Sequence, residues 1–102
     1  MLELRPNCEL CDKDLPANSS EACICSYECT FCRTCVDTVL KNVCPNCGGG
    51  FVPRPIRPRQ ELRKGEGLSH HPTSDKRKHT KYSMKEITAF VEKYKDIKPE
   101  ER

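Results

Sequence analysis

Tryptophan is absent from the 102 residues, and phenylalanine and tyrosine occur only three times each. Apolar residues make up 35%, a figure that already counts nine cysteines. An ordinary oily core large enough to hold the chain together is therefore excluded. No stretch approaches the roughly 18 to 20 apolar residues that a membrane-crossing helix needs, so no membrane partner is expected. The N-terminus, Met1 to Cys8, carries Glu3 and Pro6 where a secretory leader would have an apolar run. A cytoplasmic chain with reduced thiols is the expectation. About one hundred residues is the size of one modest domain, which leaves no room for a deep multi-layer active site.

Cysteine is also missing from the whole second half. All nine lie between Cys8 and Cys47, so residues 1–52 form a stapled module and the rest an appendage. Charge divides at the same place. Residues 1–52 carry four basic and seven acidic side chains, a net of −3, and residues 53–102 carry fourteen and eight, a net of +6.

The spacings read Cys8-x2-Cys11-x11-Cys23-x1-Cys25-x3-Cys29-x2-Cys32-x2-Cys35-x8-Cys44-x2-Cys47. A two-residue gap lets both thiolates of a tight turn face one tetrahedral Zn2+. Repeated knuckles within 40 residues point to zinc, whereas disulfides would need an oxidising compartment and leave one thiol over. Two zincs take eight ligands, so one cysteine is spare. After Cys35, Val36, Val39, Leu40 and Val43 recur at i, i+3, i+4 and i+7, which predicts a short amphipathic helix. A knuckle feeding a helix is the arrangement of treble-clef sites, which selects Cys32 with Cys35, pairs Cys25 with Cys29 and leaves Cys23 as the spare thiol. Eight helical residues run about 12 Å, too far for Cys35 and Cys44 to meet at one ion. An interleaved scheme follows, with Cys8, Cys11, Cys32 and Cys35 on one zinc and Cys25, Cys29, Cys44 and Cys47 on the other. Sequential sharing, the first four and then the last four, is the alternative.

Two closed tetrahedra leave no open position for water, so hydrolytic chemistry is not expected and the zincs are read as structural. A module of about 50 residues depends on them to fold. Eight thiolates and two Zn2+ also take the module from −3 to about −7 and the whole chain from +3 to about −1. The loaded protein is an acidic head with a basic tail.

The order of cysteines, with Leu10 before Cys11, Phe31 before Cys32, a helix after Cys35 and Pro45 inside the last knuckle, resembles a RING finger with cysteine at the fourth ligand position. The stretch from Met1 to about Pro58 is also similar to the small bacterial family called domain of unknown function 1272, which implies no established activity. Resemblance to RING ubiquitin ligases implies a groove that docks a conjugating enzyme, lined here by Leu10, Val39 or Leu40, and Pro45. Two departures stand against ligase activity: the helix has no tryptophan, and Gly48 follows Cys47 where many active ligases carry arginine.

Beyond the module, Pro53 to Arg59 alternates prolines with cations, a composition that favours extended chain. Residues 53–82 are expected to form a flexible basic linker, with Lys76-Arg77-Lys78-His79 as a second cluster. Arg54, Arg57, Arg59, Lys76, Arg77 and Lys78 are candidate phosphate-binding residues for a nucleic-acid partner. His70, His71 and His79 are read as solvated. Ser83-x-x-Glu86 is a capping box, and Ile87, Phe90, Val91 and Tyr94 share one helical face, which predicts a C-terminal amphipathic helix within residues 83–98. The expected protein is a small zinc-stabilised α+β module, a RING-like, treble-clef cross-brace with two Zn sites and a short central helix. It is expected to act as a protein-interaction module rather than an enzyme. Nucleic-acid binding, ligase-like activity and a redox role for Cys23 are the alternatives.

Overall fold

The computed structural model describes residues 1–102. At its centre, Ala22–Ile24 (β1) and Thr30–Cys32 (β2) form an antiparallel hairpin in which Ala22 faces Cys32, Cys23 faces Phe31 and Ile24 faces Thr30. All six residues are buried. Val52–Pro53 (β3) adds to the free edge of β1, giving the order β2-β1-β3. Proline is tolerated there because an outermost strand need not donate to a further neighbour. Phe31, fully buried, meets Phe51 edge-on at 5.5 Å between ring centroids.

Cys32 ends β2 and caps the next element, Arg33–Cys35 (α1), its sulfur accepting from the Cys35 N–H. The helix continues as a single wide π-turn, Val36–Leu40, and stops at Lys41 and Asn42, both left-handed at φ 48° and 64°. The predicted apolar stripe is present, with Val36, Leu40 and Val43 buried. Val43, however, reaches the core through the left-handed pair rather than through a second helical turn. Asn42 fits that bend because its short side chain tolerates positive φ, and its Oδ1 accepts from the Phe51 N–H at 2.8 Å.

Residues 53–82 lie along the module. The Arg54 side chain, 4% exposed, enters the interior and donates to the carbonyls of Arg5 (2.9 Å), Leu15 (3.2 Å) and Pro16 (2.9 Å). Arg57 donates to Leu2 O and His71 O at 2.7 and 2.6 Å. Gly67, at φ 103°, lets the intervening loop close, since a Cβ there would stand 2.8 Å from Gln60 O. Further on, Ser74 N–H donates to Leu4 O and Thr80 N–H to Glu9 O, both at 2.9 Å. Hydrogen bonds of this kind, from arginines to carbonyls and between distant main-chain atoms, leave no periodic trace in a sequence.

Met84–Tyr94 (α2) closes the chain with its capping box formed: Glu86 N–H to Ser83 Oγ at 3.2 Å and Ser83 N–H to Glu86 Oε1 at 3.1 Å. Those bonds hold the Glu86 carboxyl below its ordinary range. Ile87 and Val91 are buried in the same core as the cysteines, with Tyr82, Phe90 and Tyr94 at its margin. After a 3-10 turn at Pro99–Glu101, Arg102 donates to Asn42 O and Gly48 O at 2.8 and 3.0 Å. Both ends of the appendage are thus tied to the module. No helix is long and apolar enough to cross a membrane.

Candidate metal centre

The knuckle Cys8–Cys11 turns back on itself because the Asp12 N–H reaches Cys8 O at 2.9 Å, which requires Asp12 to be left-handed (φ 66°). The knuckle Cys44–Cys47 repeats the device with Gly48 N–H to Cys44 O at 2.7 Å and φ 83°. Aspartate and glycine are among the residues that adopt this region at least cost. Each turn aims an N–H at sulfur: Cys11 to Cys8 Sγ at 3.5 Å and Gly49 to Cys47 Sγ at 3.4 Å. The start of α1 does the same, with Cys35 N–H to Cys32 Sγ at 3.5 Å, and the hairpin loop adds Tyr27 N–H to Cys25 Sγ at 3.3 Å.

The sulfurs of Cys8, Cys11, Cys32 and Cys35 all lie within 4.8 Å of one another. Cys11 and Cys32 are 3.8 Å apart. A tetrahedron of sulfurs about 2.3 Å from a central Zn2+ has edges of roughly 3.8 Å, whereas a disulfide needs about 2.05 Å. All nine cysteines are free thiols. The donor set and its spacing therefore fit a tetrahedral thiophilic metal.

A second cluster holds Cys25, Cys44 and Cys47 within the same limit. Cys29 makes sulfur contacts with Cys25 and Cys44 and stands just outside the group that is close to all three. Its spacing explains the looser position. Cys25 and Cys29 are separated by three residues, not two, with Glu28 left-handed at φ 66° and Cys25 N–H bonded to Cys29 O at 3.2 Å. Each cluster buries most of its sulfurs and exposes one, Cys11 in the first and Cys47 in the second.

Crowded sulfurs cannot all ionise without a cation among them. Hydrogen bonds from the Cys29 and Cys44 thiols, together with the amides of Tyr27 and Cys29, hold Cys25 down at about 4. Cys44 is pushed up because its proton serves Cys25 and Cys29, and burial pushes Cys35 up in the first cluster. A divalent metal that replaces these protons removes the conflict at both clusters.

The sequence contains no cue for Glu9. Its carboxylate, 4% exposed, lies inside the first knuckle and accepts from Thr30 N–H at 2.6 Å, Arg5 Nη1 at 2.7 Å and Asn46 Nδ2 at 3.4 Å. Asn46 belongs to the last knuckle, so one buried side chain ties the loops of both clusters together. Cys23 belongs to neither cluster. It is fully buried opposite Phe31, and desolvation pushes its thiol up. A buried, protonated thiol is a poor nucleophile.

The residues of the candidate partner surface differ in exposure. Leu40 is fully buried, Pro45 is buried, and only Leu10 and Val39 are partly exposed. The chain's own α2 covers this face, leaving a cleft of about 280 Å3 lined by Pro45, Asn46 and Cys47 on one side and Tyr82, Glu86, Ile87 and Phe90 on the other. Among the candidate phosphate-binding residues, Arg54 and Arg57 are committed to carbonyls. Arg77 bonds Asp12 and Asp14, and Lys78 lies 3.6 Å from Glu3. Arg59 and Lys76 alone keep exposed side chains without a partner. Burial of Arg54 and half-burial of Arg57 explain the first two, and attraction to the acidic knuckle explains Arg77 and Lys78.

The family described as "Protein of unknown function (DUF1272)" matches residues 1–57, more than half of the chain. The chain belongs to that family. An uncharacterized protein of Rhizobium meliloti (strain 1021) is 59% identical over 64 residues, covering 63% of this chain and 76% of that one. No solved structure gives a significant match. The family region contains every cysteine of both clusters, and the basic cluster and α2 lie beyond it.

Proposed function

We propose that the chain is a cytoplasmic, RING-like module of treble-clef character with two structural zincs, acting as a platform for protein interaction rather than as an enzyme. Cys8, Cys11, Cys32 and Cys35 would hold one ion and Cys25, Cys29, Cys44 and Cys47 the other. The observation that carries the reading is that sulfurs 21 to 27 positions apart, from Cys8 and Cys11 to Cys32 and Cys35, converge within 4.8 Å without a disulfide. Bound zinc would supply cross-linking energy on the order of 10 kcal/mol per site, which a module with so few aromatics lacks. With four sulfurs at each ion there is no vacancy for substrate or water. What such a centre can do is hold surfaces rigidly in place.

Counting metal by native mass spectrometry tests the assignment. The wild type and Cys23→Ser are expected to carry two zincs, and Cys35→Ser to lose or weaken one. A purified chain that is metal-free yet cooperatively folded would overturn the reading.

A further inference from the structure

Residues 76–80 run along the first knuckle with no helix or strand of their own, and the way they are held is that of a bound peptide. Asn7, completely buried, touches only the main chain of this segment: its Oδ1 accepts from Lys78 N–H at 3.2 Å and its Nδ2 donates to Lys78 O at 2.8 Å, while Nδ2 also donates to Cys8 O at 3.1 Å and Asp12 Oδ1 at 3.0 Å. Thr80 N–H continues the track onto Glu9 O at 2.9 Å. One side chain is read specifically. The Arg77 guanidinium forks across two carboxylates, with Nη2 to Asp12 Oδ1 at 2.8 Å and Nη1 to Asp14 Oδ1 at 2.7 Å, while Nη2 also reaches Asp12 O at 2.7 Å. Lys78 faces Glu3 at 3.6 Å and His79 faces Asp12 at 3.7 Å.

Three features mark this face as a receptor rather than as internal packing. The receiving residues, from Glu3 to Asp14, all lie in the family region 1–57, and the occupying segment lies outside it. Lys78 N–H is the only donor to Asn7 Oδ1, so with the segment gone a buried acceptor would be left facing outward for a peptide N–H. The ionic contacts are also about half exposed, so each is weak and screened by salt, and the segment is displaceable.

We infer that the face formed by Asn7, Glu9, Asp12 and Asp14 is a binding site for extended, arginine-bearing basic peptides, with residues 76–80 as its intramolecular occupant. This rests on the interaction-platform reading and names the partner's chemistry. Tethering places the occupant at an effective concentration in the millimolar range, so a peptide in trans is shut out until the tether's grip is loosened.

The test uses the full-length, zinc-loaded chain and a fluorescent peptide of residues 75–82, read by anisotropy at low salt. Arg77→Ala is expected to bind the peptide at least ten-fold more tightly than the wild type. Adding Asp12→Asn and Asp14→Asn, which keep side-chain shape and tolerate the left-handed turn, should weaken that binding at least ten-fold. No saturable binding by Arg77→Ala at millimolar peptide overturns the inference. So does equal binding by wild type and Arg77→Ala, binding indifferent to Asp12 and Asp14, or preferential capture of a labelled oligonucleotide. Zinc counts taken on the same samples separate the two proposals: failure with two zincs retained sinks the peptide site alone, and a metal-free folded chain sinks the platform beneath it.

Discussion

Arg54 looks in the sequence like one of several cations on a proline-rich strap, yet its guanidinium closes the interior by collecting three carbonyls from residues 5–16. Arg54→Met would keep the aliphatic stem and leave Arg5 O, Leu15 O and Pro16 O without that donor. Destabilisation of about 2–4 kcal/mol is expected by denaturant titration with zinc present, since buried polar groups left unpaired each cost about 1–3 kcal/mol. The cysteines were far more legible. Cysteine chemistry depends on spacing, and spacing is written in the sequence, so the grouping of Cys8 and Cys11 with Cys32 and Cys35 followed from knuckle geometry and the reach of a short helix. Cys29 was less so, because a three-residue gap does not define a knuckle. Arg54, Asn7 and Glu9 left no cue, since their partners are main-chain atoms or residues dozens of positions away.

Among the elements, α2 was the most readable: a capping box and four apolar positions on one face required a helix, and the buried Ile87 and Val91 show where that face goes. It spans Met84–Tyr94, inside the expected stretch 83–98. Ile87→Ala should cost about 2–4 kcal/mol through lost burial and a residual cavity, and Ser83→Ala about 1 kcal/mol through the lost cap. Both should leave the zinc count unchanged, because neither residue supplies a sulfur. The apolar stripe after Cys35 is present, but the helix there is a wide π-turn that the left-handed pair Lys41 and Asn42 stops. Between the knuckles, Glu9 provides a link that can be broken without touching a thiol. Glu9→Ala is expected to populate a one-zinc species in metal titrations followed by native mass spectrometry, where the wild type passes directly from empty to doubly loaded.

For the whole molecule, the module and its appendage form one hydrogen-bonded unit, with anchors at Arg54, Arg57, Lys78, Thr80, α2 and Arg102. Composition gives no cue to these anchors in residues 53–82, because a polar, proline-rich stretch has too little apolar surface to order itself. It is ordered by the surface it lies on. Removing metal with a strong chelator at neutral pH should therefore release both halves together. Hydrogen exchange is expected to show protection lost at Lys78, Thr80 and α2 in step with residues 22–32, and restored by added zinc. Persistent protection of the tail in the chelated chain would show that it holds without the metal.

The single exposed sulfur of each cluster gives the centres an outward side. Alkylating reagents, oxidants and competing soft metals meet Cys11 and Cys47 first, while their buried neighbours are still shielded. Damage or exchange should then proceed from the rim inward, and the two knuckles rather than the hairpin would be the doors through which this protein is dismantled.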